Sequence, residues 1–142
     1  MTRTAIAFDF GTKRIGIAAA NIDAQQIASA AQELPPIAAK EGIPNWDDIN
    51  DLFEEWRPER VIVGLPKQSD GSDMEITRRA RKFGNRIRAK FKHDVCFVDE
   101  TLSTKEAKHE ADARGHRGPY SQSPVDSIAA RLILETWLGE NT

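Results

Sequence analysis

Ala5-Ile6-Ala7-Phe8-Asp9-Phe10-Gly11-Thr12-Lys13-Arg14-Ile15-Gly16-Ile17-Ala18-Ala19-Ala20 decides the fold. Ala5 to Phe10 is an apolar run broken by one acid, Gly11 to Arg14 is a tight turn, and Ile15 to Ala20 is a second apolar run. Two apolar runs joined by a short Gly-containing turn predict a β-hairpin. Further on, Val61-Ile62-Val63 is apolar throughout, as a strand is when both faces of its sheet are covered. Val95-Cys96-Phe97-Val98 reads the same way.

The segments between these strands carry a different period. From Asn45, Ile49, Leu52, Phe53 and Trp56 recur at i, i+3, i+4 and i+7, while Asp47, Asp48, Asp51, Glu54 and Glu55 take the other faces. Pro58 ends this helix. A second helix runs from about Asp73 to Lys90 on the stripe Ile76, Ala80, Phe83, Ile87 and Phe91. Ser103 to Arg114 and Pro124 to Leu138 read as further helices, separated by a polar loop from Gly115 to Ser123. A weak third strand is expected near Gln26 to Gln32, and the stretch from Pro35-Pro36 to Pro44 is expected to be a loop. Strands alternating with helices after a hairpin start predict an α/β domain: a five-stranded mixed sheet with helices on both faces. Residues 1–142 form one domain, with no internal repeat and no linker-like stretch.

Composition excludes several classes. At 15.8 kDa, with 39% hydrophobic and 30% charged residues, the chain is neither disordered nor membrane-embedded. No stretch approaches the ~18 apolar residues of a transmembrane helix. The opening Met1-Thr2-Arg3-Thr4 leads straight into the first strand without a signal-peptide pattern, so a cytoplasmic location is expected. Cys96 is the single cysteine, which rules out an internal disulfide and a multi-cysteine zinc site. The net charge of −2 gives no general pull toward a polyanion. The distribution does: the stretch from Ile76 through Lys92 holds eight basic residues and no acid.

Three acids sit where a core would not choose them. Asp9 interrupts the first strand, and an ionised carboxylate there is costly to bury unless it is paired or bound to a cation. It also fits a simpler role, bonding the amides of the Gly11-Thr12 turn. Glu100 follows Asp99 at the carboxyl end of a strand, where ligand groups collect in open α/β sheets, although both also read as solvated loop acids. Asp126 completes Ser123-Pro124-Val125-Asp126, a capping box, yet shares a helical face with Ala129, Ala130, Ile133 and Trp137. Carboxylates without a His or Cys cluster suit a hard cation such as Mg²⁺ or Mn²⁺. Two such ions can promote phosphodiester cleavage.

Asp9-Phe10-Gly11-Thr12-Lys13-Arg14-Ile15-Gly16, Val63-Gly64-Leu65-Pro66, Asp70-Gly71-Ser72, Asp99-Glu100-Thr101-Leu102-Ser103-Thr104 and Val125-Asp126-Ser127-Ile128-Ala129-Ala130 occur in family order. Together they resemble the YqgF-type nucleases, also called RuvX-type Holliday-junction resolvases, from about Ala5 to Leu138. The resemblance implies a ribonuclease H-like fold and a metal-dependent nuclease acting in 5′-end maturation of pre-16S rRNA during ribosome biogenesis. It places catalytic and metal-holding carboxylates, with two Mg²⁺ or Mn²⁺ ions, on Asp9, Glu100 and Asp126, and implies 3′-hydroxyl and 5′-phosphate products. The chain departs from the family pattern at Thr101, where many relatives carry Arg, and in the weakly basic Gly115 to Ser123 loop.

Lys13 and Arg14 beside Asp9, and Lys67 on the Gly64 to Gly71 loop, are candidate phosphate contacts, or else solvated turn residues. Arg78, Arg79, Arg81, Lys82 and Arg86 on the basic helix are candidates for tracking a nucleic-acid backbone. The expected partner is nucleic acid, with pre-rRNA favoured, branched DNA as the alternative substrate, ribosome precursors as further partners, and no membrane. A non-catalytic RNA- or ribosome-binding module is a competing reading. The oligomeric state stays open.

Overall fold

The computed structural model describes residues 3–22, 31–68, 70–99 and 125–140, with 125, 126 and 140 described as backbone. Strands β1 (Thr4–Asp9) and β2 (Arg14–Asn21) form the expected hairpin, pairing Phe8 with Ile17 and Asp9 with Gly16. Strand β3 (Gln32–Lys40) lies antiparallel to β2, and the two-residue strand β4 (Ile43–Pro44) antiparallel to β3. After helix α1 (Trp46–Trp56), strand β5 (Arg60–Leu65) runs parallel to β1. Helix α2 (Glu75–Phe91) then leads to strand β6 (Val95–Asp99), parallel to β5. Helix α3 (Val125–Glu140) closes the described chain. The sheet has six strands in the order β4-β3-β2-β1-β5-β6, which puts β1 near its middle.

Two expectations are corrected. Among the described residues the sheet has six strands rather than five, and the stretch from Pro35 to Pro44 is mostly strand rather than loop. Pro35 and Pro36 hide β3 from a sequence reading because neither has an N–H for the ladder. The register slips by one residue opposite them, between Ile15 and Ile17, forming the kind of bulge that admits proline to a sheet. The candidate helix from Ser103 to Arg114 and the loop from Gly115 to Ser123 lie outside the described residues.

Strand alternation sorts the core into two unlike layers. Ile6, Phe8, Ile15, Ile17, Val61 and Val63 face α1 and α2, where they pack with Ile49, Ala80, Phe83 and Ile87. On the other face Ala5, Ala7, Ala18, Ala20 and Ile62 meet Ala130, Ile133, Leu134 and Leu138 of α3. Alanines along β1 and β2 let α3 lie close to the sheet. A similar device seats α2: a Cβ on Gly84 would stand 2.5 Å from the Phe97 ring, so only glycine lets α2 approach β6 this closely.

Helix boundaries follow local chemistry. Asn45 caps α1 by accepting from the Asp47 N–H at 3.0 Å, and Arg57 ends it in the left-handed region, φ 45°, donating its N–H to the Phe53 carbonyl. Near the start of α2, buried Thr77 donates its hydroxyl to the Pro66 carbonyl and accepts from the Met74 N–H, tying the helix to the loop after β5.

Candidate functional site

Asp9 ends β1 at the carboxyl edge of the parallel strands, half-buried. Its register partners are Gly16 on β2 and Gly64 on β5. The carboxylate therefore stands at a strand end with no side chain beside it on either flanking strand. Glycine within a strand often marks where another group must approach the backbone closely. By alternation Asp9 shares the face of Ala5 and Ala7, the face covered by α3.

The first turn of α3 is fastened at this place by Ser127. Its buried hydroxyl donates to the Leu34 carbonyl at 2.5 Å and accepts from the Ile17 N–H at 3.4 Å. Ile17 and Leu34 are partners at the β2–β3 bulge, so the hydroxyl bridges the ladder where the register slips. Ile17 follows Gly16, the residue opposite Asp9. The backbone of Asp126, next to Ser127, is thereby brought to the α3 face of the sheet at the Asp9 end; the Asp126 side chain lies outside the described residues. Arg131 adds a second stitch, pairing with Glu33 of β3 at 3.0 Å and with Glu135 at 3.4 Å.

Glu100 lies outside the described residues. The strand it follows, β6, ends at Asp99 opposite Leu65, one residue beyond the row that joins Asp9, Gly64 and Val98. Of the three sequence-predicted carboxylates, the structure thus describes Asp9 in full and Asp126 as backbone. The donor set fits a hard cation: a carboxylate at a strand end with glycine on both sides and, among the described residues, no His or Cys cluster to favour a softer metal.

The predicted basic residues fall into three groups. Exposed Lys13 and half-buried Arg14 occupy the hairpin turn, which is braced where the Thr12 and Lys13 carbonyls accept from Gly42 and Ala39. Lys67 is mostly covered and lies between Asp73, at 3.6 Å, and Asp99, at 3.5 Å. Arg81 bonds the same Asp73 at 3.0 Å. That Arg81 hydrogen bond holds the Asp73 carboxyl below its ordinary 3.8, against a smaller opposing effect of burial. In the same loop the Ser72 hydroxyl and N–H both bond Asp70, lowering its pKa as well. Arg78, Arg79, Lys82 and Arg86 are exposed on α2, and no ion pair joins them to a carboxylate among the described residues. They form the open part of the basic surface, whereas Lys67 and Arg81 are committed to the loop.

Sequence reading missed Ser127, whose role depends on the bulge it bridges, and the flanking pair Gly16 and Gly64, which only strand register brings together. A shared signal was visible: both glycines interrupt apolar strands close to their ends, and Ser127 is a hydroxyl on an otherwise apolar helix stripe.

The family model described as "RuvX: Holliday junction resolvase" matches residues 3–140. A protein of Saccharophagus degradans named "Putative pre-16S rRNA nuclease" is 56% identical over 136 residues, covering 96% of this chain and 93% of its own. A protein of the same name from Chromohalobacter salexigens is 46% identical over 140 residues, 99% of this chain and 92% of its own. Among solved structures, the fold is similar to fowlpox virus resolvase in complex with Holliday junction DNA, with TM-score 0.59 and 15% identity over 97% of this chain and 98% of that one. Thermus thermophilus RuvC bound to a Holliday junction gives TM-score 0.57 and 13% identity over 97% and 95%.

Proposed function

The chain belongs to the RuvX family, and on that premise we propose that Asp9, Glu100 and Asp126 hold Mg²⁺ or Mn²⁺, with two ions as the full complement, for phosphodiester hydrolysis. It is a nuclease, a hydrolase acting on ester bonds, and nucleic acid is its substrate. Its proposed substrate is pre-16S rRNA, the RNA named in its relatives, with cleavage at the 5′ end and in the cytoplasm as part of the same proposal. No helix among the described residues is long and apolar enough to cross a membrane.

The observation that supports this reading is Asp9 set between Gly16 and Gly64, with the Asp126 turn fastened beside it through Ser127. Ions held by Asp9, Glu100 and Asp126 would supply Lewis-acid polarisation of the scissile phosphate. The ladder to both neighbouring strands holds the Asp9 backbone in place. The missing side chains at 16 and 64 leave a phosphate room to approach. Ser127 keeps the turn that carries Asp126 from swinging away. Lys13 and Arg14 border the site with positive charge, and the open bases of α2 neutralise phosphates farther along, releasing counterions.

The test incubates purified protein with labelled 5′-extended pre-16S rRNA and, separately, a four-way DNA junction, each with Mg²⁺, Mn²⁺ or EDTA. We expect metal-dependent RNA cleavage that falls to the EDTA background in Asp9→Asn and Asp126→Asn, both folded by circular dichroism. Junction cleavage without RNA cleavage would reassign the substrate to branched DNA. Equal RNA binding by all three proteins with no cleavage would leave a binding module instead.

A further inference from the structure

On the α2 side of the same sheet end lies a cavity of about 140 Å³. Phe10, Ile43 and Trp46 supply its apolar walls, and Arg79, Lys82 and Arg86 stand at its rim. The three cations recur at i, i+3 and i+7, so one stripe of α2 presents them together. Glu41, also at the rim, leaves a local excess of two positive charges. The Glu41 carbonyl accepts from the Arg79 guanidinium at 3.5 Å, which orients that group at the opening. Ile43 is 54% exposed and is the one large hydrophobic residue so exposed among the described residues.

Size and chemistry together select the occupant. The cavity is far smaller than the roughly 300–1,000 Å³ that enclose a whole small-molecule ligand. It has room for a single ring, while the cations at its mouth match the phosphates on either side of that ring. A base inside a duplex is stacked and cannot enter, whereas single-stranded RNA presents unstacked bases to apolar side chains beside a cationic track. We propose that this cavity receives one unstacked base of a single-stranded flank of the RNA substrate, with Arg79, Lys82 and Arg86 on the adjoining phosphates. The proposal rests on the nuclease reading and specifies how that site holds its substrate.

The fold supplies the route. Phe10 follows Asp9 directly, and alternation sends Asp9 to the α3 face and Phe10 to the α2 face. A strand cut at Asp9 reaches the cavity by passing over the hairpin turn at exposed Lys13. That turn is joined to the cavity wall by the Gly42 N–H to Thr12 carbonyl bond at 2.9 Å. Gly42 is required at this crossing: its φ is +82°, and a Cβ there would lie 2.9 Å from the Phe10 ring.

The test uses the full chain carrying Asp9→Asn, in EDTA, with single-stranded RNAs bearing 5-iodouridine at successive positions. Irradiation should cross-link one RNA position to the 41–46 segment. An abasic residue at that position should weaken binding roughly five- to 150-fold. The abasic penalty should shrink in Ile43→Ser, a change at an exposed residue that removes one of the three apolar walls. Lys82→Ala/Arg86→Ala should lower the slope of log affinity against log salt by about 1.4, at roughly 0.7 per lost single-strand phosphate contact. Lys92→Ala, beyond the helix end, serves as the control. Cross-links confined to other segments, or an abasic penalty undiminished in Ile43→Ser, would overturn the proposal while wild-type cleavage left the nuclease reading standing. A mapped cross-link in a protein whose wild type cuts nothing would retain the cavity and sink the nuclease reading.

Discussion

Replacing Ser127 with Ala tests how the last helix is held over the sheet. The hydroxyl is buried and serves two backbone groups, the Leu34 carbonyl at 2.5 Å and the Ile17 N–H at 3.4 Å. Alanine keeps the Cβ, so no large void opens, and what is lost is pairing. The Ile17 amide sits in a core residue and would lose its partner, and the Leu34 carbonyl would lose the shorter bond. Leaving buried polar groups unmade costs about 1–3 kcal/mol each, with the long Ile17 bond at the lower end and half-buried Leu34 limiting its own share. The two together come to about 2–3 kcal/mol. Alanine's better helix propensity returns about half a kcal/mol, leaving a net loss of about 2 kcal/mol. For a chain of this length that lowers the melting temperature by about 5–10 °C. Thermal and urea unfolding measure the loss, and hydrogen exchange at the Ile17 amide reports its cause. A drop under about 2 °C, with Ile17 protected as in the native chain, would refute the bridging role.

Gly84→Ala should destabilise by about 1–3 kcal/mol despite the usual gain of alanine in a helix, because its Cβ meets the Phe97 ring at 2.5 Å. Thermal melts should show recovery when Phe97→Leu is added. The Asp73 carboxyl should titrate below 3.8 by NMR, and Arg81→Gln should move it back toward that value. Because its pKa is lowered on folding, the Arg81 link contributes fully above 3.8 and is lost as pH falls through the lower folded value. The loop after β5 should therefore keep this tie throughout neutral and mildly acid conditions.

Where one side-chain period ran uninterrupted, the sequence was legible. The hairpin, the apolar Val61–Val63 centre of β5 and the striped α1 and α2 were all readable because burial alone set their patterns. Strand β3 was not, since Pro35 and Pro36 look like loop chemistry until the bulge opposite Ile15 and Ile17 is known. Trp46 begins α1 and also forms a cavity wall, a role that depends on α2 packing alongside and that no local pattern signals. Asp9 stood out as an acid in a strand, whereas its two glycine neighbours come from residues 16 and 64 and meet only through register. Lys67 looked available for phosphate in sequence because its partners Asp73 and Asp99 arrive from separate segments.

The Ser127 bridge also sets an order of events during synthesis. It joins residues 110 and 93 positions apart, so the hairpin leaves the ribosome long before the helix that covers it. Until then the alanine face of Ala5, Ala7, Ala18 and Ala20 has no cover from α3, and contacts this distant in sequence close slowly. The acid carried by that helix arrives only with it. On the proposed assignment of the carboxylates, a nascent chain holds Asp9 early and gains Asp126 only when α3 docks, so the two acids come together late in folding.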